Sequence, residues 1–359
     1  MNRLELEKLR IEKPSAEIAA EAKLRWDSIA KPLDGMGDFE EIFCKIAAIR
    51  GTTDIDIRKK TVMVMAADNG VVRQGISQSG QEVTRICAVN MTEGTTSVCS
   101  MADAVGAEVI TTDVGIAGEP IGDISSFRVK SGTEDFTERP AMTEEECLKA
   151  VSVGIERVRA ASEKGFGLIA TGEIGIGNTC TSSAMTAAFL GLDAEEVTGR
   201  GAGLDDERLK RKIRIINNAI KNYGLGKDSD PIEIMRTVGG LDIAALAGVC
   251  IGGAVYRIPV ILDGVISAAA ALAADRMVKG VRDYLIASHK SREGAATMLL
   301  RELSLKPVID ASMALGEGTG AVMMMGLLDI AAAVYMNKRQ FKDIKIEQYK
   351  RYEKKITGK

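Results

Sequence analysis

The stretch ALGEGTGA, residues 314–321, holds one carboxylate, Glu317, among glycines and other small residues. A glutamate on a solvated helix face usually has polar or charged neighbours, whereas these neighbours are too small to cover it. They are also flexible enough to let another molecule come close. The composition of this stretch therefore raises the question of which ligand approaches the lone carboxylate.

A second glycine-rich stretch, GEIGIGNT at residues 172–179, has the composition of an anion-binding loop. Glycines allow close approach to the backbone, and a helix that starts after them offers free amide donors to a phosphate. The loop is not GxGxxG, because Cys180 stands at the third glycine position, and it lacks the GK[ST] of a Walker A loop. Glu173 would repel phosphate, so it could instead accept hydrogen bonds from ribose hydroxyls.

The stretch VTGRGAGLDDERLKRK, residues 197–212, is another glycine-rich loop that leads into a helix. Arg200 and Lys212 could reach a phosphate, although either could equally be a surface charge. Asp205 or Asp206 could cap the helix. His289 is the single histidine of the chain, and a lone histidine is more often structural than catalytic, which disfavours a zinc site or a Ser–His–Asp triad.

Five short β-prone runs alternate with helical segments and predict a Rossmann-like α/β fold, in which a mostly parallel sheet has helices on both faces. The runs are TVMVMAA (61–67), AEVITTD (107–113), FGLIATG (166–172), IPVILDG (258–264) and YLIAS (284–288). Polar clusters follow them, and ligands bind beyond the carboxyl ends of parallel strands. Each cluster alone could be an ordinary turn, but together they favour one shared site.

The two chain ends have a different, helical pattern. Residues 15–30 and 38–50 are expected to form helices, and the last segment is helical before it becomes strongly charged. We expect residues 1–60 and 331–359 to form a small helical subdomain beside an α/β domain of residues 61–330. Capping-box patterns are expected to start helices at Asp38 and Thr143.

Composition excludes several classes of function. The 359 residues carry a net charge of −3, which does not suit nucleic-acid binding. The six cysteines form no CxxC pair and are expected to be reduced thiols of a cytoplasmic protein. The N-terminus lacks an apolar signal core. The longest apolar stretches fall short of the ~20 residues that a membrane-spanning helix needs.

These motifs together resemble one family, the nicotinate-nucleotide–dimethylbenzimidazole phosphoribosyltransferases, which make the lower-ligand nucleotide of cobalamin. The similar segments run in the order of the family from about residue 31 to 330. They are KPLDGMGDFE (31–40), ADNGVVRQGISQSGQEVT (67–84), RPAMTEEE (139–146), GEIGIGNTCTSSA (172–184), VTGRGAGLDDE (197–207), GGLDIAALAG (239–248), RIPVILDGVISAAAAL (257–272), SHKSREGA (288–295) and LGEGTGA (315–321).

The resemblance implies a homodimer that transfers the phosphoribosyl group of nicotinate mononucleotide to 5,6-dimethylbenzimidazole, without a metal or redox cofactor. Glu317 matches the catalytic glutamate of the family, which acts as a general base on the attacking imidazole. The other roles that the resemblance implies fall into two groups. Ser79, Gln81 and Leu315 are expected to bind the base, and Glu173, Gly175, Gly177, Asn178, Thr179, Lys212, Ser288 and Ser291 to bind the ribose and its phosphate.

This chain departs from the family pattern at Asn69, where ADHG is common, and at Asp34 and Met36, where the family often has KPLGSLG. Asp135 stands in the segment GTEDF, where the family often has GT-x-N-F. The departures near residues 34–36 and at 69 leave open whether the base is a benzimidazole, a purine or a phenolic compound. Two other functions are also open, namely hydrolysis of nicotinate mononucleotide and nucleotide binding without turnover.

Overall fold

The computed structural model describes residues 1–337 and 339–351, so the last part of the predicted C-terminal segment lies outside the described residues. Five strands form one sheet in the order β2-β1-β3-β4-β5, and every neighbouring pair is parallel. Their bounds are Lys60–Ala67 (β1), Ala107–Gly115 (β2), Leu168–Ile174 (β3), Val260–Leu262 (β4) and Leu285–Ala287 (β5). Each strand overlaps one of the β-prone runs.

Helices connect and flank these strands. They are Arg3–Glu7 (α1), Ala16–Ser28 (α2), Asp38–Arg50 (α3), Glu82–Thr92 (α4), Ser97–Ala104 (α5), Glu144–Glu163 (α6), Asn178–Leu190 (α7), Ala194–Val197 (α8), Asp206–Tyr223 (α9), Pro231–Val238 (α10), Leu241–Val255 (α11), Val265–Met277 (α12), Gly294–Glu302 (α13) and Thr319–Tyr335 (α14). Short 3₁₀ turns occur at Gly70–Gln74, Gly122–Phe127, Val281–Tyr284 and Phe341–Ile344. Among the described residues, none of the helices combines the length and the apolarity that crossing a membrane would require.

The centre of the sheet is covered on both faces. All eight residues of β1 and all seven of β3 are buried. Successive side chains of a strand point to opposite faces, so complete burial requires helices on each side of the sheet. The predicted α/β fold with a mostly parallel sheet is therefore confirmed.

The larger of two compact units contains the sheet and comprises Met1–Lys13 and Ile57–Met325. The sequence analysis grouped residues 1–60 with the C-terminal segment, whereas the first thirteen residues group with the sheet. Two contacts explain this: Leu6 is buried, and the Arg3 guanidinium bonds the carboxylates of Glu144 and Asp230 at 2.8 Å each.

The smaller unit comprises Pro14–Asp56 and the described residues from Gly326 onward. Its core contains the rings of Trp26, Phe43 and Tyr335, whose centroids lie 5.0–5.8 Å apart. Such a cluster of aromatic side chains buries much apolar area in a unit with few residues. The buried Glu40 carboxylate is compensated by the Lys23 ammonium group at 2.6 Å and by Lys31.

Three helix starts show how far cap patterns predict boundaries. Thr143 forms the expected capping box with Glu146, and Asp205 caps α9 by accepting the Arg208 amide at 2.8 Å. The expected cap at Asp38 was wrong, because α3 begins at that residue and Gly37 is its N-cap, with φ of 55°. No side chain caps this helix, and the Asp38 carboxylate lies in its first turn, where a negative charge is favourable.

Candidate active site

A cavity of about 270 Å³ lies at the carboxyl ends of the strands in the larger unit. Its walls are formed by segments that follow β1, β3, β4 and β5 and by the segment before α14. These segments are distant from one another in sequence. The lining residues are Val83, Cys87, Glu173–Ile176, Asn178, Thr179, Gly201, Ala202, Asp263–Ser267, His289, Ser291, Glu293, Met313–Glu317 and Thr319. The polar clusters that follow β3, β4 and β5 therefore do lie close together, beside the LGEGTGA segment.

Glu317 lines the cavity from a tightly turned segment. Gly316, Glu317 and Gly318 all have positive φ, at 87°, 61° and 97°. A left-handed conformation is uncommon for a residue other than glycine, and such strain is concentrated at functional sites. The side chain is half-buried, and its Oε2 accepts the Val98 amide at 3.3 Å.

The surroundings of Glu317 increase its affinity for a proton. Burial raises the pKa of this carboxyl group above its ordinary value, and the negative charge of Asp263 raises it further, while the Val98 amide opposes both. No lysine or arginine in the described parts of the chain forms an ion pair with it. A carboxylate with these properties can accept a proton from a bound ligand.

Glu173, at the end of β3, is a buried carboxyl group of the cavity wall. It is 8% exposed, and the Asn178 amide group donates a hydrogen bond to its Oε2. Burial raises its pKa well above the ordinary value, and the charges of Asp242 and Asp263 act in the same direction. The charged form is therefore disfavoured, which weakens the repulsion that Glu173 would exert on a phosphate.

Asp242 and Asn69 lie behind this wall and are fully buried. Burial raises the pKa of Asp242 to about 7. Its Oδ1 and the Oδ1 of Asn69 are both buried without a hydrogen-bond partner among the described residues. The Asn69 amide group donates to the Ile176 carbonyl at 3.5 Å, and its side chain also interacts with Asp242. The position where the chain departs from the ADHG pattern thus supports the glycine-rich loop from beneath.

The glycine-rich loop leads into α7 as expected. Gly177 is the N-cap of this helix, with φ of 95°. A Cβ atom at Gly175 would lie 2.5 Å from Asp242 Oδ2 and 2.7 Å from the Ala67 carbonyl, so a larger residue would displace the loop. Gly175, Asn178 and Thr179 line the cavity, whereas Gly177 packs against Val72 beside it.

Lys212 reaches the cavity wall from α9. Its side chain is completely buried, and its Nζ donates to Thr179 Oγ1 at 3.0 Å and to the Gly199 carbonyl at 3.2 Å. Burial lowers its pKa. The ammonium group lies directly behind Thr179, and Arg200 bonds Asp206 and the Leu204 carbonyl instead.

The segment after β5 contributes differently at each position. Ser291 lines the cavity, whereas Ser288 is buried and its Oγ donates to the Leu262 carbonyl at 2.6 Å. The same Oγ lies 2.9 Å from His289 Nδ1. Asp263 accepts hydrogen bonds from the backbone amides of Gly318, just before α14, and of Gly320, in its first turn. These bonds fix the position of the Glu317 segment.

Of the three residues expected to bind the base, only one lines the cavity. Leu315 lines the cavity and is 56% exposed. Ser79 and Gln81 are not among the lining residues. The Gln81 amide group donates to the Asn69 carbonyl at 3.0 Å at the start of α4, and the Ser79 backbone amide donates to Ser77 Oγ.

Sequence reasoning assigned no role to Cys87, Asp242 or Glu293, although Cys87 and Glu293 line the cavity and Asp242 supports its wall. One signal was available for Asp242, a lone carboxylate in the otherwise apolar run GGLDIAALAG. Cys87 lies within α4 and Glu293 at the N-cap of α13, both in segments with ordinary composition, so only the folded chain places them in the site.

Known proteins resemble this chain over nearly its whole length. A family model described as phosphoribosyltransferase matches residues 11–346. A relative from Acetivibrio thermocellus, named nicotinate-nucleotide–dimethylbenzimidazole phosphoribosyltransferase, is 42% identical over 326 residues, which cover 90% of this chain and 93% of that protein. A relative from Ruminiclostridium cellulolyticum with the same name is 40% identical over 341 residues, which cover 95% and 97%.

The crystal structure of CobT from Thermus thermophilus superposes with a TM-score of 0.87 at 38% identity, covering 93% of this chain and all of that chain. The family model, the relatives and the solved structure thus agree with one another over nearly the whole chain. They also confirm the resemblance drawn from the scattered motifs. The chain therefore belongs to the nicotinate-nucleotide–dimethylbenzimidazole phosphoribosyltransferase family.

Proposed function

We propose that the protein transfers the phosphoribosyl group of nicotinate mononucleotide to 5,6-dimethylbenzimidazole or a related base, giving nicotinate and α-ribazole 5′-phosphate. The single observation that carries this proposal is the position of Glu317. It is a half-buried carboxylate with a raised pKa that lines the cavity at the end of the sheet. Family membership points to the substrates, and Glu317 supports the proposal as a candidate base in the cavity.

The chemistry needs one proton acceptor. A ring nitrogen of the base attacks the anomeric carbon with its lone pair and forms the new C–N bond. The bond to nicotinate breaks, and its electron pair neutralises the pyridinium as nicotinate leaves. The attacking imidazole then carries a positive charge, which is removed when Glu317 accepts the proton of its other nitrogen.

The two ends of the cavity suit the two substrates. Leu315 and Met313 supply apolar surface beside Glu317, where a flat bicyclic ring would lie. Asn178 and Thr179 line the cavity at the start of α7, which suits the phosphoribosyl end because the positive end of the helix dipole favours an anion. Lys212 stands directly behind Thr179 and supplies a positive charge at the same end.

One assay separates this reaction from hydrolysis and from binding without turnover. The protein is incubated with nicotinate mononucleotide, with and without a panel of benzimidazole, purine and phenolic acceptors, and nicotinate release and product mass are followed. The proposal requires release that depends on an acceptor, with a product whose mass contains both acceptor and phosphoribosyl group. Release without an acceptor would identify a hydrolase, and absence of release would identify a binding module.

We also propose that the protein is a homodimer of the cytoplasm. Met323 and Ile330, seven residues apart on one face of α14, are 44% and 68% exposed, which is unusual for large apolar side chains that repeat on a helix. The six cysteines are unpaired, as is typical of a reducing compartment. Sedimentation equilibrium of the wild-type protein and of Ile330→Glu tests the dimer, which the charged side chain should dissociate.

A further inference from the structure

Glu293 directs its carboxylate into the wall of the cavity instead of capping its own helix. It stands at the N-cap position of α13 but makes no side-chain cap bond. Its Oε1 accepts the Gly201 amide at 3.1 Å. Its Oε2 occupies the space beside Gly199 where a side chain would lie, since a Cβ atom there would come within 1.4 Å of this oxygen.

The groups around this carboxylate are those that our proposed function assigns to the 5′-phosphate. Lys212 Nζ bonds the Gly199 carbonyl and Thr179 Oγ1. A Cβ atom at Gly201 would lie 2.8 Å from Thr179 Oγ1, so this loop packs closely on the start of α7. Glu293, Thr179 and Gly201 all line the cavity.

The charges around Glu293 also indicate that its carboxylate occupies an anion site. Lys212 is completely buried, and no carboxylate lies within ion-pair distance of its Nζ in the described residues. The negative charge of Glu293 acts on Lys212 and opposes the effect of burial on its pKa. In the substrate-free protein, Glu293 thus supplies negative charge beside the buried cation.

A carboxylate and a phosphate compete for a site beside an amide donor and a buried cation. Both present oxygen acceptors and negative charge to the same amide donors and the same cation. Two anions in one partly desolvated pocket repel each other strongly, because the effective dielectric constant there is far below that of water. The phosphate of a substrate therefore cannot bind beside an ionised Glu293 that keeps its present position.

We propose that Glu293 is a displaceable carboxylate that occupies the 5′-phosphate subsite of the substrate-free protein and leaves the Gly201 amide when a phosphorylated substrate binds. This inference rests on the proposed function, because it assumes that the phosphate lies between α7 and the Gly199–Gly201 loop. Substrate binding is then an exchange of one anion for another. Return of the carboxylate assists release of the phosphorylated product.

The variant Glu293→Gln isolates the charge. Glutamine keeps an oxygen that can accept the Gly201 amide, so the loop retains its contact while the competing charge is lost. Glu207→Gln is the matched control, because Glu207 is exposed on α9, the helix that carries Lys212, and its replacement changes the net charge equally. Neither the wild-type protein nor the variants need an acceptor base for the measurement.

Isothermal titration calorimetry measures binding of inorganic phosphate, nicotinate mononucleotide and the unphosphorylated nicotinate riboside to the three proteins. Removing one repulsive charge should tighten phosphate and mononucleotide binding by about tenfold in Glu293→Gln. Binding of the riboside to that variant, and of all three ligands to Glu207→Gln, should remain as in the wild-type protein.

Each other result has a definite meaning. Equal or weaker phosphate binding by Glu293→Gln would overturn the inference, because Glu293 would then only hold the loop. A similar gain for the riboside would overturn it as well, since the effect would not depend on phosphate. If the wild-type protein and both variants bound neither phosphate nor the mononucleotide, the proposed function would fail together with the subsite.

Discussion

The backbone of Glu317 lies directly against the α-carbon of Gly172 in β3. A Cβ atom at Gly172 would come within 2.5 Å of the Glu317 carbonyl oxygen. The opposing atom belongs to the backbone and cannot turn away as a flexible side chain could. The absence of a side chain in the central strand thus allows the strained segment 316–318 to rest on the sheet and to present its carboxylate to the cavity.

Gly172→Ala should therefore displace the Glu317 segment. We expect a loss of about 1–3 kcal/mol in the free energy of unfolding, typical of overpacking at a tight contact, together with a large loss of turnover. Urea denaturation and the nicotinate-release assay measure the two effects. Gly226→Ala is the control, since nothing lies within 4 Å of its Cβ position. If Gly172→Ala behaved like Gly226→Ala, the close contact would have no role in the site.

Lys212→Met tests the phosphate end of the cavity. Methionine keeps much of the shape of the buried side chain but removes the charge that lies behind Thr179. We expect the KM for nicotinate mononucleotide to rise by about tenfold or more, because a charge-assisted contact in a buried site is lost, whereas the KM for the acceptor base should not change. Lys210→Met, on the exposed face of the same helix, is the control. A KM that stayed constant would place the phosphate elsewhere.

Asp242 should make stability depend on pH. Its pKa is about 7 in the folded protein against an ordinary value of 3.8, so the folded state binds more protons than the unfolded state between these values. Stability is then highest below this window and falls as pH rises through it. Asp242→Asn removes the ionisation, and its new amide group can donate to the unpartnered Asn69 Oδ1.

The variant should therefore be more stable than the wild-type protein at pH 8, by up to several kcal/mol, with a smaller difference at pH 5. Thermal unfolding at the two pH values measures this difference. Asp228→Asn, at an exposed position, should show no such dependence. A stabilisation of Asp242→Asn that was equal at both pH values would mean that ionisation of Asp242 is not its cause.

The turnover rate should depend on the ionisation of Glu317. A general base acts in its deprotonated form, and burial raises the pKa of this group above the ordinary value of 4.5. We therefore expect kcat to fall as pH is lowered through this raised pKa. The matched profile of Glu317→Gln should lack this acid limb. Persistence of the same limb in the variant would assign it to another group.

The alternation of short apolar runs with helical segments predicted the sheet well, because its central strands are continuous apolar runs bounded by glycine and polar residues. Segments such as LGEGTGA and GEIGIGNT pointed to the site because glycine and a lone carboxylate are conspicuous in sequence. Glu293 was not recognised, since its role arises from contact with Gly199 and Gly201, about ninety residues away. The cap of α3 was misplaced by one residue, because Gly37, with positive φ, is the N-cap and Asp38 is already the first helical residue.

Replacement of Glu317 by glutamine tests the central claim most directly. The variant keeps the shape and the hydrogen bond from Val98 but cannot accept the proton of the base. We predict that kcat falls by about 10²–10⁴-fold, while the dissociation constant for nicotinate mononucleotide, measured by calorimetry, remains close to that of the wild-type protein. Turnover at the wild-type rate by Glu317→Gln would contradict the account.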